Sequence, residues 1–98
     1  LMDTMVQFNL SNNEANDNIR TVLTGTEGTI IVGLECDYPS FNWTEVTQNN
    51  YTYPIVGKSA EFAEGYDVEI AYRIAKTLNM TLEIEKMGWD ALLAWVNK

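Results

Sequence analysis

Glu35 stands one residue past an apolar, β-branched run, Thr29-Ile30-Ile31-Val32-Gly33-Leu34, and opens the stretch Glu35-Cys36-Asp37-Tyr38-Pro39-Ser40-Phe41-Asn42-Trp43. A carboxylate at the end of a buried strand is costly unless something pairs with it. Glu35 therefore reads as a binding group rather than a packing one. The rings that follow, Tyr38, Phe41 and Trp43, and the later Gly88-Trp89-Asp90, have packing as their ordinary explanation. Tyr38 would pack in a turn beside Pro39, and Trp89 would open the core face of a helix. Phe41 and Trp43 are the weaker candidates for contact with a ligand.

Covalent chemistry has little to work with. The chain has no His and one Cys, Cys36. A thiol nucleophile needs a base, and the lone cysteine reads as a small buried hydrophobe. No internal disulfide can form, and neither His nor a Cys cluster offers a zinc site. No cofactor or metal is expected, and no enzyme activity. The 98 residues carry 6 Lys+Arg against 14 Asp+Glu, a formal charge of −8. That balance argues against nucleic acid and against docking on anionic lipid, since both need clustered cations. No apolar run approaches the length that spans a bilayer, and no signal peptide is visible.

The elements that must position these residues follow from periodicity. Residues 1–28 are rich in Asn and Thr and read as a leader or linker. Within them Glu14 to Leu23 has a narrow apolar stripe, a short helix capped at Asn12 or Asn13 and ended at Gly25. Residues 29–98 form the domain. Its first strand, Thr29 to Leu34, is continuously apolar, as a strand buried on both faces is. Residues 42–64 make a long polar connection in which Tyr51-Thr52-Tyr53 suggests a hairpin flap. Residues 66–79 are the clearest helix: Asp67 is its expected N-cap, and Val68, Ile70, Ala71, Ile74, Ala75 and Leu78 form one apolar face. Asn79 can close it in the left-handed conformation. Glu69, Glu83 and Glu85 read as solvated. Met80 to Met87 alternates with period two, a strand with one buried face. Trp89, Leu92, Leu93 and Val96 then restart a helix.

Strand, loop, helix, strand, helix is an α/β order, a βαβ unit with parallel strands. In such sheets the binding crevice lies beyond the carboxyl ends of the strands. Two segments belong there: Glu35 to Trp43, and Gly88 to Asp90.

Those same segments resemble family 3 extracellular solute-binding proteins, the amino-acid-binding components of bacterial ABC importers. Ile31 to Trp43 is similar to the family's opening strand, acidic residue, aromatic and Pro. Glu64-Gly65-Tyr66-Asp67-Val68-Glu69-Ile70-Ala71 is similar to its Gly-aromatic-Asp helix start, and Gly88-Trp89-Asp90-Ala91-Leu92-Leu93 to its aromatic-acidic-x-Leu element. The long loop with Tyr53-Pro54-Ile55 resembles Gram-positive members. Ser40 and Ala94 depart from the pattern, which usually has Pro at or near both.

The resemblance implies the N-terminal part of lobe 1 of a type II periplasmic-binding fold, a parallel sheet flanked by helices. The parent would be extracytoplasmic, a cell-surface lipoprotein or periplasmic protein. It would bind a polar amino acid, with glutamine, glutamate or a cationic one as candidates, and would hand it to an ABC permease. Glu35 matches the acidic residue that receives the ligand's ammonium or side chain. Tyr38 and Trp89 match the aromatic walls of the site. On this reading the ligand-carboxylate clamp and the second lobe lie beyond Lys98, so the chain is truncated and need not bind alone. The rival readings are a sensor domain of the same fold, a dehydratase or lyase on this scaffold, and a fragment that covers its strand edges by self-association.

Overall fold

The structure is a computed structural model that describes residues 19–96. Its frame is the expected parallel pair. Strand β1 (Thr29–Leu34) runs beside strand β6 (Thr81–Lys86), in register from Thr29 opposite Thr81 to Leu34 opposite Lys86. Leu82 and Ile84 of β6 are fully buried. Burying side chains of this size contributes about 1.5–3 kcal/mol each.

Helix α1 (Tyr66–Thr77) and helix α2 (Trp89–Val96) complete a mixed α/β fold. Successive strand residues point to opposite faces of a sheet. Ile30 and Val32 face Ile70, Ala71 and Ile74 of α1. Gly33 faces α2 so closely that a Cβ there would lie 2.8 Å from Leu92 Cδ2 and 3.0 Å from Trp95 Cζ3. β1 is not buried on both faces throughout, as its apolar run led us to expect. Ile31, two residues before the seat of α2, stays 44% exposed.

α1 buries Val68 and Ala75 completely, with Ala71 and Tyr72 packed beside them. The stripe is narrower than expected, since Ile74 and Leu78 are about half exposed (47% and 53%). Asp67 is not the N-cap. The cap is Gly65, at φ 132°, without a side-chain cap. The first amides of the helix are instead taken by backbone carbonyls, Tyr66 N–H by Ser40 and Asp67 N–H by Phe41. The contact is so close that a Cβ on Gly65 would sit 2.6 Å from the Phe41 oxygen. At the other end Asn79 is left-handed at φ 56°. Met80 N–H bonds Ala75 O and Asn79 N–H bonds Lys76 O, the paired bonds of a Schellman motif.

The long connection holds more than a flap. Strands β2 (Asp37–Tyr38), β3 (Asn42–Glu45), β4 (Tyr53–Pro54) and β5 (Phe62–Glu64) form an antiparallel sheet in the order β2-β3-β5-β4. Ile55 then bridges to Ile84, so this sheet leans on the outer edge of β6. Tyr53 is the pin. Its buried hydroxyl donates to Leu82 O (2.6 Å) and accepts from Leu23 N–H (2.8 Å).

The helix expected over 14–23 is absent from its described part: Ile19 to Leu23 carry no helix, and Glu14 to Asn18 lie outside the described residues. Residues 19–28 instead pack along β6. Leu23 O accepts from Leu82 N–H, and Gly25 N–H donates to Thr81 Oγ1. Arg20 is buried, its guanidinium held by both oxygens of Glu69 (2.7 and 2.8 Å) and lying 4.1 Å from the centre of the Tyr72 ring. Glu69 is thus a partner of two arginines, Arg20 and Arg73, and not a solvated acid. Burial alone would push its carboxyl up, but the hydrogen bonds and charge of Arg20, then of Arg73, hold it below the ordinary range.

Candidate functional site

Leu34 and Lys86 end β1 and β6 side by side, and Met87 N–H continues the ladder to Leu34 O (2.9 Å). The chain leaves both strands on the same side of the sheet. A cleft of about 610 Å³ opens there, lined by Glu35, Cys36, Asp37, Trp43, Thr44, Lys58, Lys86, Met87 and Gly88. This is the carboxyl-end position that parallel sheets use for ligands.

One hub residue shapes its acidic wall. Asn42 is buried, and its Oδ1 accepts from Cys36 N–H (2.9 Å) while its Nδ2 donates to Asp67 Oδ2 (3.0 Å). Thr44 Oγ1 closes the turn by donating to Cys36 O (2.8 Å). These bonds hold Cys36 at φ 56°, a backbone shape that non-glycine residues seldom adopt. The sharp bend leaves Glu35 and Asp37 exposed on either side of Cys36. The Cys36 side chain is buried and free, and burial pushes its thiol up to about 11 even though the Lys86 charge opposes the shift.

Cations line the same cleft. Lys86 Nζ meets Glu61 Oε1 at 3.0 Å, a bond that lowers the Glu61 carboxyl. Lys58 lies at the end of a turn closed by its own amide on Ile55 O. Trp43 lines the cleft too, half-buried, with its indole N–H fixed on Glu45 (2.8 Å).

The expected site residues fall into three places. Glu35 and Trp43 line the cleft. Glu35 is exposed, so the cost of a buried carboxylate is not what explains it. Tyr38 and Phe41 lie outside the lining. Their rings lie 5.1 Å apart, tilted by 38°, and Phe41 meets Tyr66 edge-on at 6.4 Å, an exposed aromatic group. Trp89 follows the lining residue Gly88 but is 60% exposed, so it is not the core residue its spacing suggested. Ser40 sits at φ 79°, where proline with its fixed negative φ cannot stand. The loop is therefore not built as the family pattern implies at that point.

The chain matches no protein-family model, no curated protein and no solved structure. What the site can do therefore rests on its own groups. Among the described residues no cluster of His, Cys, Asp or Glu is arranged to hold a metal, and no helix is long and apolar enough to cross a membrane. The cleft offers carboxylates, ammonium groups, one indole face and one thioether. Sequence reading missed Asn42, Asp37, Lys58 and Lys86. Nothing local marks them, because they meet only through the turn between β1 and β3 and the end of β6.

Proposed function

We propose that this chain is the ligand-facing part of a periplasmic-binding-type lobe that takes up a polar amino acid for an ABC importer outside the cytoplasm. The observation that carries the reading is the cleft at the carboxyl ends of two parallel strands, walled by the free carboxylate of Glu35 and the indole of Trp43. A carboxylate draws the ligand's ammonium, and a ring face excludes water and adds cation–π attraction. A helix on either face of the parallel pair suits such a lobe. Trp89 and Tyr38, both exposed next to the cleft's loops, are available to close over a guest from its rim. The mechanism is capture and closure by a second lobe, with the permease as the downstream partner and no covalent step.

Isothermal titration against the twenty amino acids tests this, on the chain alone and joined to a second lobe. Binding of a polar amino acid that Glu35→Gln weakens at least tenfold supports the reading. Absence of binding in both forms sinks it.

A further inference from the structure

A second pocket, of about 320 Å³, lies where the antiparallel sheet meets the first turns of α1, lined by Trp43, Tyr51, Glu64, Tyr66, Glu69 and Arg73. Of these only Trp43 also lines the carboxyl-end cleft. Trp43 and Glu64 are directly opposite one another across β3 and β5, so their side chains rise side by side from one face of the sheet. Glu45, two residues further along β3, shares that face and accepts the indole N–H. One amide places both Tyr51 and Glu64: Asn49 Oδ1 accepts from Tyr51 N–H (2.7 Å), and Asn49 Nδ2 donates to Glu64 Oε1 (2.9 Å). Tyr66 meets the ring of Phe41 edge-on. Glu69 and Arg73 pair with each other at 3.2 Å, whereas neither Glu45 nor Glu64 makes an ion pair among the described residues.

We infer that this pocket binds a small alkylated ammonium ion. The rings of Trp43, Tyr51 and Tyr66 attract a cation through their π systems, and a methylated one suits a lining that is mostly apolar. Tyr51 and Tyr66 are at least half exposed, so their rings are open to a guest at the mouth. Glu64 adds a carboxylate that no cation meets among the described residues, and Glu45 holds a second beside the indole. Both repel an anionic guest, as does the chain's formal charge of −8. This site is independent of the amino-acid reading and would stand if the cleft bound nothing.

The test is a titration of the isotope-labelled chain with choline and with its neutral carbon isostere, in which a quaternary carbon replaces the nitrogen. Choline should bind about two- to thirtyfold tighter than the isostere, the usual range of a cation–π contact. Its shifts should fall on Tyr51, Glu64, Tyr66 and the Trp43 indole. Tyr51→Leu and Glu64→Gln should each shrink the preference for choline and leave the isostere's binding nearly as it was. Tyr51 is half exposed, and a glutamine at 64 still accepts from Asn49, so neither change should move the melting temperature. Equal binding of choline and isostere, no saturable binding of either, or an undiminished preference in both variants overturns the inference. So do shifts confined to Glu35, Met87 and Gly88, which would put the cation in the other cleft.

Discussion

Met87 donates its amide to the carbonyl of Leu34 at 2.9 Å, and that one bond sets the site. It extends the β1–β6 ladder by one step, so that the chain leaves both strands at the same level. Glu35 and Gly88, the next residues on either side, are thereby brought to the lip of one cleft although they are far apart in sequence.

Asn42 is predicted to be the residue that shapes the acidic wall. Asn42→Ala removes the acceptor of Cys36 N–H and the donor to Asp67. A buried amide left unpaired costs about 1–3 kcal/mol. Denaturant unfolding should show that loss, and amino-acid affinity should fall with it. An unchanged midpoint would mean that the turn holds itself.

Tyr53→Phe should lower stability by about 1–3 kcal/mol, since it leaves Leu23 N–H and Leu82 O without their shared hydroxyl. Hydrogen exchange locates the effect. Protection should drop first at Leu23 and at the outer edge of β6, and uniform loss across the fold would contradict a local pin.

Arg20→Met should destabilise by about 3 kcal/mol, because it strips a buried cation from Glu69. The effect is pH-dependent. The folded state lowers the Glu69 carboxyl, so this stability is present above the unfolded carboxyl's range and is lost as pH falls through the folded value. Melting curves at pH 7 and pH 3 should therefore converge between wild type and variant on the acid side. A difference that persists at low pH would point to packing against Tyr72 instead.

Alkali should act through the other two buried groups. Burial raises the Cys36 thiol from 9.0 to about 11, and it raises the Tyr53 phenol as well. Both contributions are intact below the unfolded values and fade as pH climbs through the folded ones. Stability should therefore decline from about pH 9 upward. Cys36→Ala should flatten the lower part of that decline. Native Cys36 should also react with a thiol reagent at pH 8 far more slowly than unfolded chain.

The long, regular elements were legible in the sequence because their periodicity is local. The parallel pair, the helix over 66–77 and the left-handed Asn79 all follow from patterns a few residues long. The antiparallel sheet was not legible, since its strands are two to four residues long and too short to show a period. The buried face of α2 was misread for a tertiary reason. Trp89, Leu92 and Leu93 share a helical stripe, but the missing side chain of Gly33 lets Leu92 and Trp95 dock and turns Trp89 outward. Arg20 hid in a segment that reads as a leader, because its partner Glu69 is 49 residues away. The segment that holds Glu35 and Trp43 was expected beyond the first strand, and both residues line the cleft there. Lys58 and Lys86 were not expected, for only the fold brings them to the same cleft.

The central claim is that an amino acid binds at the carboxyl ends of β1 and β6. The most direct test is a titration of the isotope-labelled chain, alone and joined to a second lobe, followed by amide and indole resonances. The account predicts saturable shifts at Glu35, Asp37, Met87, Gly88 and the Trp43 indole, all weakened in Glu35→Gln. Shifts confined to another surface, or none with any of the twenty amino acids in either form, would contradict it.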